Sequence, residues 1–455
     1  MKIQRIAYEK LLKWKNASNR KPLILRGARQ VGKTTLIREL AKEFSNYIEL
    51  NLERIADRDL FKIDDVDKIL NAAYLLKNIS PSDKPTLLFL DEIQESPKAI
   101  QLLRYFYEEK PELYVVAAGS LLEFALKKVP SYPVGRVEYL YLHPVNFEEY
   151  LGAINHQGAI DSLQITPIAD YSHSVLLNLF HEYALVGGMP EIVTQYIQDK
   201  NIARLSDTYK GLWQSYKDDV EKYGKNDTEK KVMRHIMDVS PNNIDRITFE
   251  RFGNSNYRSR EVGEAFRSLD LARIIQLIYP TTSLTPPLEP NIKKSPRLQF
   301  LDTGMLNNIL SLQGDMITVT DLNDYYRGKI IHHLICQELM SIHNKSIFIP
   351  HFWVREKKGA SSEVDLVYSH DKFLIPIEVK SGAQGKLKSL HQFVDRTNHP
   401  YAIRLYAGGF NIERHNTPSG KPYLLMNLPY YLGSKIPEYI DYLIKEYDVK
   451  TSLED

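Results

Sequence analysis

The stretch "PLILRGARQVGKTTLIREL", residues 22–40, decides the fold. Its opening "PLILR" is a short apolar run of strand type, and "KTTLIREL" carries its apolar side chains at helical spacing. Between them, Gly27 to Thr34 fit the pattern G-x-x-x-x-G-K-[ST] position for position. A strand that runs into such a loop and leaves it as a helix aims backbone N–H groups and the positive helix end at one spot. That spot suits a phosphate chain. Gly27 and Gly32 let the backbone curl, and Ala28, Arg29, Gln30 and Val31 complete the wrap. Lys33 is expected to neutralise the β- and γ-phosphates, and Thr34 to put its hydroxyl on Mg2+, with Thr35 next to it in the binding set. The expected ligands are ATP and Mg2+.

Working outward, "TLLFLDE" (86–92) is an apolar strand ending in Asp91 and Glu92, at the carboxyl end where open α/β sheets bind ligands. Asp91 is expected to hold the Mg2+, and Glu92 to orient or deprotonate the attacking water. "LYVVAAGS" (113–120) is another strand, and it brings Ser120 near the terminal phosphate if the strands are neighbours. Arg136 in "PVGRVEYL" is the candidate guanidinium for transition-state charge, acting within its subunit or across to another copy. An ordinary surface ion pair explains Arg136 equally well. Apolar runs alternating with helical segments over the first 150 residues imply a parallel sheet covered on both faces.

A chain of 455 residues calls for several domains. Its 43% apolar and 25% charged residues are globular values, and no run of eighteen apolar residues marks a membrane span. The start "MKIQRIAYEKLLKWKN" lacks an apolar leader, and the single Cys336 cannot form an internal disulfide, so a cytoplasmic setting is expected. Net charge is +2, yet residues 228–300 carry 12 Lys/Arg against 8 Asp/Glu, and residues 321–430 carry 14 against 10. This mild basic excess is a weak pointer to nucleic acid, DNA in particular.

Residues 156–226 read as all-helical. Residues 227–320 read as a small mixed module with helices at "EKKVMRHIMDV", "TFERF" and "SREVGEAFRSLDLARIIQLI", closed by a β-hairpin containing "PRLQFLD". Three helices and a hairpin make the winged-helix pattern, which would present Arg258, Arg260 and Arg267 to DNA. A packing or dimerisation module is the alternative.

Near the C-terminus, "EVDLVYSHDKFLIPIEVK" (363–380) reads as two strands joined at "SHDK". Alternation puts Glu363 and Asp365 on one face, and Glu378 and Lys380 on another. Asp365 and Glu378 are then placed to converge as oxygen ligands for a second divalent ion, Mg2+ or Mn2+, with Lys380 polarising a water. The layout resembles the PD-(D/E)xK nuclease core. A cross-strand Glu–Lys pair on a solvated face is the plain alternative.

Taken together, "LILRGARQVGKTTL", "LLFLDEIQ", "AAGSLLE", "GRVEYLYLHPVNFEEYL", "VGGMPE" and "PRLQFLDTGML" resemble, in this order, a prokaryotic family that joins an AAA-type P-loop domain to an uncharacterised C-terminal domain, the AAA_14 and DUF4143 pairing. The resemblance covers nearly the whole chain. It implies an α/β multidomain protein: an AAA-like P-loop domain with a parallel sheet (1–155), a helical lid (156–226), a winged-helix-like domain (227–320), a restriction-endonuclease-like α/β domain (321–432) and a helical tail (433–455). It maps an Asp-Glu-x-Gln signature onto Asp91, Glu92 and Gln94, and a Gly-Arg element onto Gly135 and Arg136. It assigns no chemistry to Gly187–Glu191. Where many relatives carry a glutamate before the carboxylate hairpin, this chain has His332 and His333, with Glu338 the alternative acid. The expected activity is ATP hydrolysis coupled to nucleic-acid processing, in a homo-oligomer or alone. The alternative is an ATP-gated switch whose nuclease-like domain is inert.

Overall fold

The computed structural model describes residues 3–82, 84–120, 122, 133, 135–313, 329–355, 362–380 and 387–446. Strands β1 (Leu23–Arg26), β2 (Asn46–Asn51), β3 (Thr86–Asp91), β4 (Tyr114–Ala118) and β5 (Glu138–Tyr141) form one sheet in the order β2-β3-β4-β1-β5. Every pairing in it is parallel. Alternate residues feed two cores. Ile24, Leu88 and Leu90 pack with Ile100 and Phe106 on one face, while Leu23, Leu25 and Phe89 pack with Leu36 and Leu40 on the other. Helices cover both faces, so β3 is buried along its whole length, as a parallel sheet requires. The helix Pro97–Glu109 starts where its sequence demands: Ser96 accepts a hydrogen bond from the Ala99 amide, and Pro97 takes the first helical position. Because β4 lies between β1 and β3, the loop after β1 and the acidic pair after β3 flank its C-terminal tip.

Residues 156–226, expected to form the lid, are helical, with Gln157–Leu163, His173–Val186, Pro190–Asp199 and Ser206–Tyr223. Their "VGGMPE" segment is a close crossing of three backbones. A Cβ on Gly187, where φ is +69°, would lie 2.6 Å from Asp302 Oδ1, and one on Gly188 would lie 2.2 Å from the Val145 carbonyl oxygen. Asp302 accepts the Gly188 amide at 2.6 Å, and the Val145 amide donates to the Gly188 carbonyl at 2.7 Å. The two glycines are thus fixed by packing, and Pro190, which opens the next helix, lines the cleft beside the loop together with Glu191.

The 227–320 module departs from expectation at two points. "TFERF" forms no α-helix, because Arg251 and Gly253 take φ of 50° and 61°, leaving only a 3-10 turn at Phe252–Asn254. The long helix expected over 259–278 stops at Leu271; Arg273, at φ 62°, reverses the chain into β6 (Ile275–Ile278). That strand pairs antiparallel with β7 (Arg297–Phe300). The described residues thus give the helices Asp227–Val239, Ser259–Leu271 and Thr303–Ile309, and a hairpin between the last two.

The C-terminal region builds a mixed sheet of order β12-β13-β11-β10-β9-β8, from β8 (His351–Val354), β9 (Glu363–His370), β10 (Phe373–Val379), β11 (Tyr401–Tyr406), β12 (Asn411–Asn416) and β13 (Pro422–Pro429). The expected turn falls at Asp371–Lys372, with Asp371 at φ 48°. This sheet is not isolated. One continuous core joins Phe180 and Tyr183 of the lid, Ile275 and Phe300 of the hairpin, and Leu334, Leu405, Tyr430 and Tyr439 of the C-terminal part. The helix Lys329–Ile342 is stapled to the lid by the buried Glu338, which accepts from Tyr183 Oη at 2.8 Å and from the Phe147 amide at 3.0 Å. The tail contributes the helix Ile436–Glu446. Among the described residues, no helix is long and apolar enough to cross a membrane.

Candidate functional site

The loop after β1 is shaped by its glycines. Gly27, at φ 149°, has the Leu142 carbonyl oxygen 2.3 Å from where a Cβ would sit, and Gly32 takes φ 96°. Gln30 also adopts the left-handed region, at φ 62°. Lys33 Nζ is buried and donates to the carbonyls of Gly27 at 3.0 Å and Ala28 at 2.7 Å. Burial lowers its pKa to about 8, against the pull of Glu92 and Asp91. Thr34 Oγ1 donates to Asp91 Oδ2 at 2.9 Å. Burial holds the Asp91 carboxyl above its ordinary range, with the Thr34 bond acting the other way. Glu92 sits at φ 50°, a strained conformation for this residue type, and its carboxylate accepts from Gln94 Nε2 at 2.7 Å.

Lys33, Thr34, Glu92 and Ser120 line one cleft of about 660 Å3. Ser120 reaches it because β4 lies between the two motif-bearing strands, as the sequence reading required. The Thr34 hydroxyl and Asp91 carboxylate meet as two hard oxygen donors, a fit to Mg2+. A second cleft of about 860 Å3, between Arg5, Tyr8 and the helix Pro190–Asp199, shares Gly32 and Thr35 with the first. Arg136 lies elsewhere: its Nε pairs with Glu108 Oε1 at 2.9 Å on the surface, and it is not among the residues lining either cleft.

Sequence reasoning missed the lid's share of this site. Arg29 forms an ion pair with Asp219, and Tyr216 Oη donates to the Arg29 carbonyl at 2.8 Å. Both partners belong to the helix Ser206–Tyr223, whose spacing looks like any solvated helix face.

The C-terminal carboxylates do converge, with an unforeseen occupant. Asp365 Oδ2 accepts the Val379 amide at 3.0 Å, and Glu378 Oε1 pairs with Lys380 Nζ at 2.6 Å. Burial, and then Asp365, raise the Glu378 carboxyl to about 7. Into this cleft β7 sends Arg297, which pairs with Glu363, lies 3.6 Å from Asp365 Oδ1 and donates to the Asp365 carbonyl at 3.2 Å. Its guanidinium stacks over Phe352 at 4.4 Å. His332 places Nε2 3.0 Å from the Asp365 carbonyl oxygen and 3.3 Å from Arg297. Glu338 does not stand in for the missing acid, since its carboxylate is bound to Tyr183 and Phe147. Among the described residues, no group of three or more His, Cys, Asp or Glu is placed to hold a metal. The donor set suits a guanidinium rather than the second divalent ion expected there.

The sheet order, the loop and the acidic pair resemble a P-loop ATPase core. Family models agree. Residues 19–151 match an AAA domain (AAA_14), residues 177–315 a domain of unknown function (DUF8612) and residues 327–428 another (DUF4143). The chain is thus of the kind that joins an AAA-type P-loop domain to a DUF4143 C-terminal domain. It is 22% identical over 407 residues to the uncharacterized protein MJ1637 of Methanocaldococcus jannaschii, covering 85% of this chain and 82% of that one. Among solved structures it is similar to the Walker-type ATPase paby2304 of Pyrococcus abyssi, at 13% identity and TM-score 0.45, covering 68% of this chain and 96% of that one. It is also similar to the STAND protein PH0952 of Pyrococcus horikoshii, which carries a tetratricopeptide repeat sensor, at 12% identity and TM-score 0.26, covering 73% and 47%.

Proposed function

We propose that the protein hydrolyses ATP with Mg2+ at the loop between β1 and the helix Lys33–Ala41, and that the cycle acts on nucleic acid. The observation that carries the ATPase reading is the meeting of Lys33, Thr34 and Glu92 at one cleft, with Asp91 accepting the Thr34 hydroxyl just behind it. Lys33 and the loop amides take the phosphates, Thr34 and Asp91 hold Mg2+, and Glu92 takes or directs the proton of the attacking water. Ser120 is offered to the terminal phosphate. The larger neighbouring cleft has room for the nucleoside. Arg136, exposed beside Glu108, is presented to a neighbouring copy in a homo-oligomer. Phosphate release in the presence of Mg2+ is the direct test: EDTA is expected to reduce it to background, and turnover indifferent to metal removal sinks the reading.

The nucleic-acid part is supported by the exposed Arg258, Arg260 and Arg267 on and beside the helix Ser259–Leu271, and by the Asp365/Glu378/Lys380 arrangement, which resembles a nuclease core. With Arg297 seated among these carboxylates, wild type is expected to nick no supercoiled plasmid with Mg2+ or Mn2+, and nicking that Asp365→Ala and Lys380→Ala abolish would restore the nuclease reading. Arg297 favours a second reading, in which the C-terminal part is an inert, ATP-gated binding element. Wild type that nicks nothing with either ion selects that reading.

A further inference from the structure

A short chain of packed side chains joins the cleft at the phosphate loop to the carboxylate cleft of the C-terminal sheet. At the phosphate loop, Arg29 is held by Asp219 and Tyr216 of the helix Ser206–Tyr223. Trp213, one turn earlier on that helix, packs its ring against Phe300 of β7, with centroids 6.2 Å apart. The Phe300 amide donates to His333 Nε2 at 2.6 Å, and the adjacent His332 touches Arg297. Three residues before Phe300 on the same extended strand, Arg297 sits among Glu363, Asp365 and Phe352, its side chain only 14% exposed. The far end of β7 also reaches the nucleotide side directly: Gln299 and Phe300, with Gly27 and Ala28, line a cavity of about 30 Å3 beneath the loop.

We propose that phosphate occupancy at the loop is transmitted to the carboxylate cleft through Asp219, Trp213, Phe300 and Arg297, and that Arg297 is the internal cation filling that cleft until a triphosphate binds. The inference rests on the ATP reading and adds how the second cleft is regulated. Its physical basis is a choice of partners for one guanidinium. A triphosphate on the loop competes with Asp219 for Arg29 and places negative charge beside Asp218, Asp219 and Glu191, all of which line the same cleft. Losing Arg29 and repelled by phosphate, the helix bearing Asp219 is driven to shift. β7 is packed against that helix at Phe300, so the shift pulls on the strand that holds Arg297. Coupling between distant sites requires an element with two states, each favoured by one site, and the proposal assigns that part to this helix and β7 together.

Linkage makes this testable without any enzymatic assay. If a triphosphate weakens the Arg297 ion pairs, then weakening those pairs must tighten triphosphate binding. The full chain would be titrated with a fluorescent non-hydrolysable ATP analogue and Mg2+, and amide exchange followed over residues 362–380. Arg297→Gln and Asp365→Asn are each expected to bind the analogue at least about fivefold more tightly than wild type. In wild type the analogue should speed exchange over 362–380, and in Arg297→Gln that response should be gone. Arg297→Lys, which keeps the charge but loses the forked geometry, should fall between and guards against a variant that does not fold. Binding within twofold across wild type and variants, with exchange unmoved by the analogue, overturns the inference and leaves the ATP reading intact. No binding to wild type or any variant overturns both.

Discussion

Lys33→Ala is expected to lower ATP turnover by on the order of 10³-fold, with the chain still folded. The reason lies in where the ammonium sits. It is buried, donates to the carbonyls of Gly27 and Ala28, and is flanked by Asp91 and Glu92, and on the proposed reading it is the cation that meets the phosphate charge. With a pKa lowered to about 8, it still carries its proton at neutral pH. Folding should survive because the neighbouring contacts do not depend on it: the helix Lys33–Ala41 is anchored through Leu36, Ile37 and Leu40. Glu92→Gln separates chemistry from binding. It removes the proton acceptor but keeps the hydrogen-bonding shape, so turnover should fall about 100-fold while the analogue still binds. Phosphate release and analogue titration on the same samples check both. A Lys33→Ala chain that turns over ATP at the wild-type rate leaves this site without a function.

The second large effect concerns stability. Glu338→Ala is expected to cost on the order of 2 kcal/mol, because the Phe147 amide loses its fully buried acceptor, while Tyr183 Oη keeps the Val145 carbonyl at 2.9 Å. Glu338→Gln keeps an acceptor and should cost far less. The pH dependence has a definite sign. Burial, partly offset by the bonds from Tyr183 and Phe147, pushes the Glu338 carboxyl up from 4.5 to about 8. A raised carboxyl favours the folded state most below its unfolded value and loses that contribution as pH rises through about 8. Glu338→Gln should therefore gain on wild type between pH 6 and pH 9 in denaturant midpoints. Parallel curves for the two proteins across that range would mean the carboxyl plays no such part.

How much of this was readable in the chain beforehand depends on sequence distance. The phosphate loop, the Asp91–Glu92 pair and the turn before β10 are each written in contiguous residues whose types dictate local geometry, and the structure has them where the pattern put them. The helix expected over 259–278 was overrun because "ARIIQLI" is an apolar run that suits helix and strand alike. The left-handed Arg273 that divides it carries no sequence mark, since neither glycine nor asparagine stands there. Arg297 and Asp219 were invisible for another reason. Each is an ordinary charged residue whose partner lies 66 or 190 positions away, and only tertiary folding assigns it. "VGGMPE" was conspicuous but mute: its glycines answer to Val145 and to Asp302, 114 residues from Gly188.

The continuous core from the lid to the last helix bears on how such a chain can be recombined over evolution. A C-terminal segment grafted from a distant relative would have to bring matching surfaces for Tyr183, Phe300 and Phe180, since its own Leu334 and Tyr430 are half of a jointly built interior. The parallel sheet has its own interiors on its two faces, and meets the rest of the chain through contacts such as the buried Arg5–Glu149 pair and Leu301. The natural place for inheritance to cut this molecule is therefore near residue 144, ahead of the lid, rather than in front of the carboxylate hairpin.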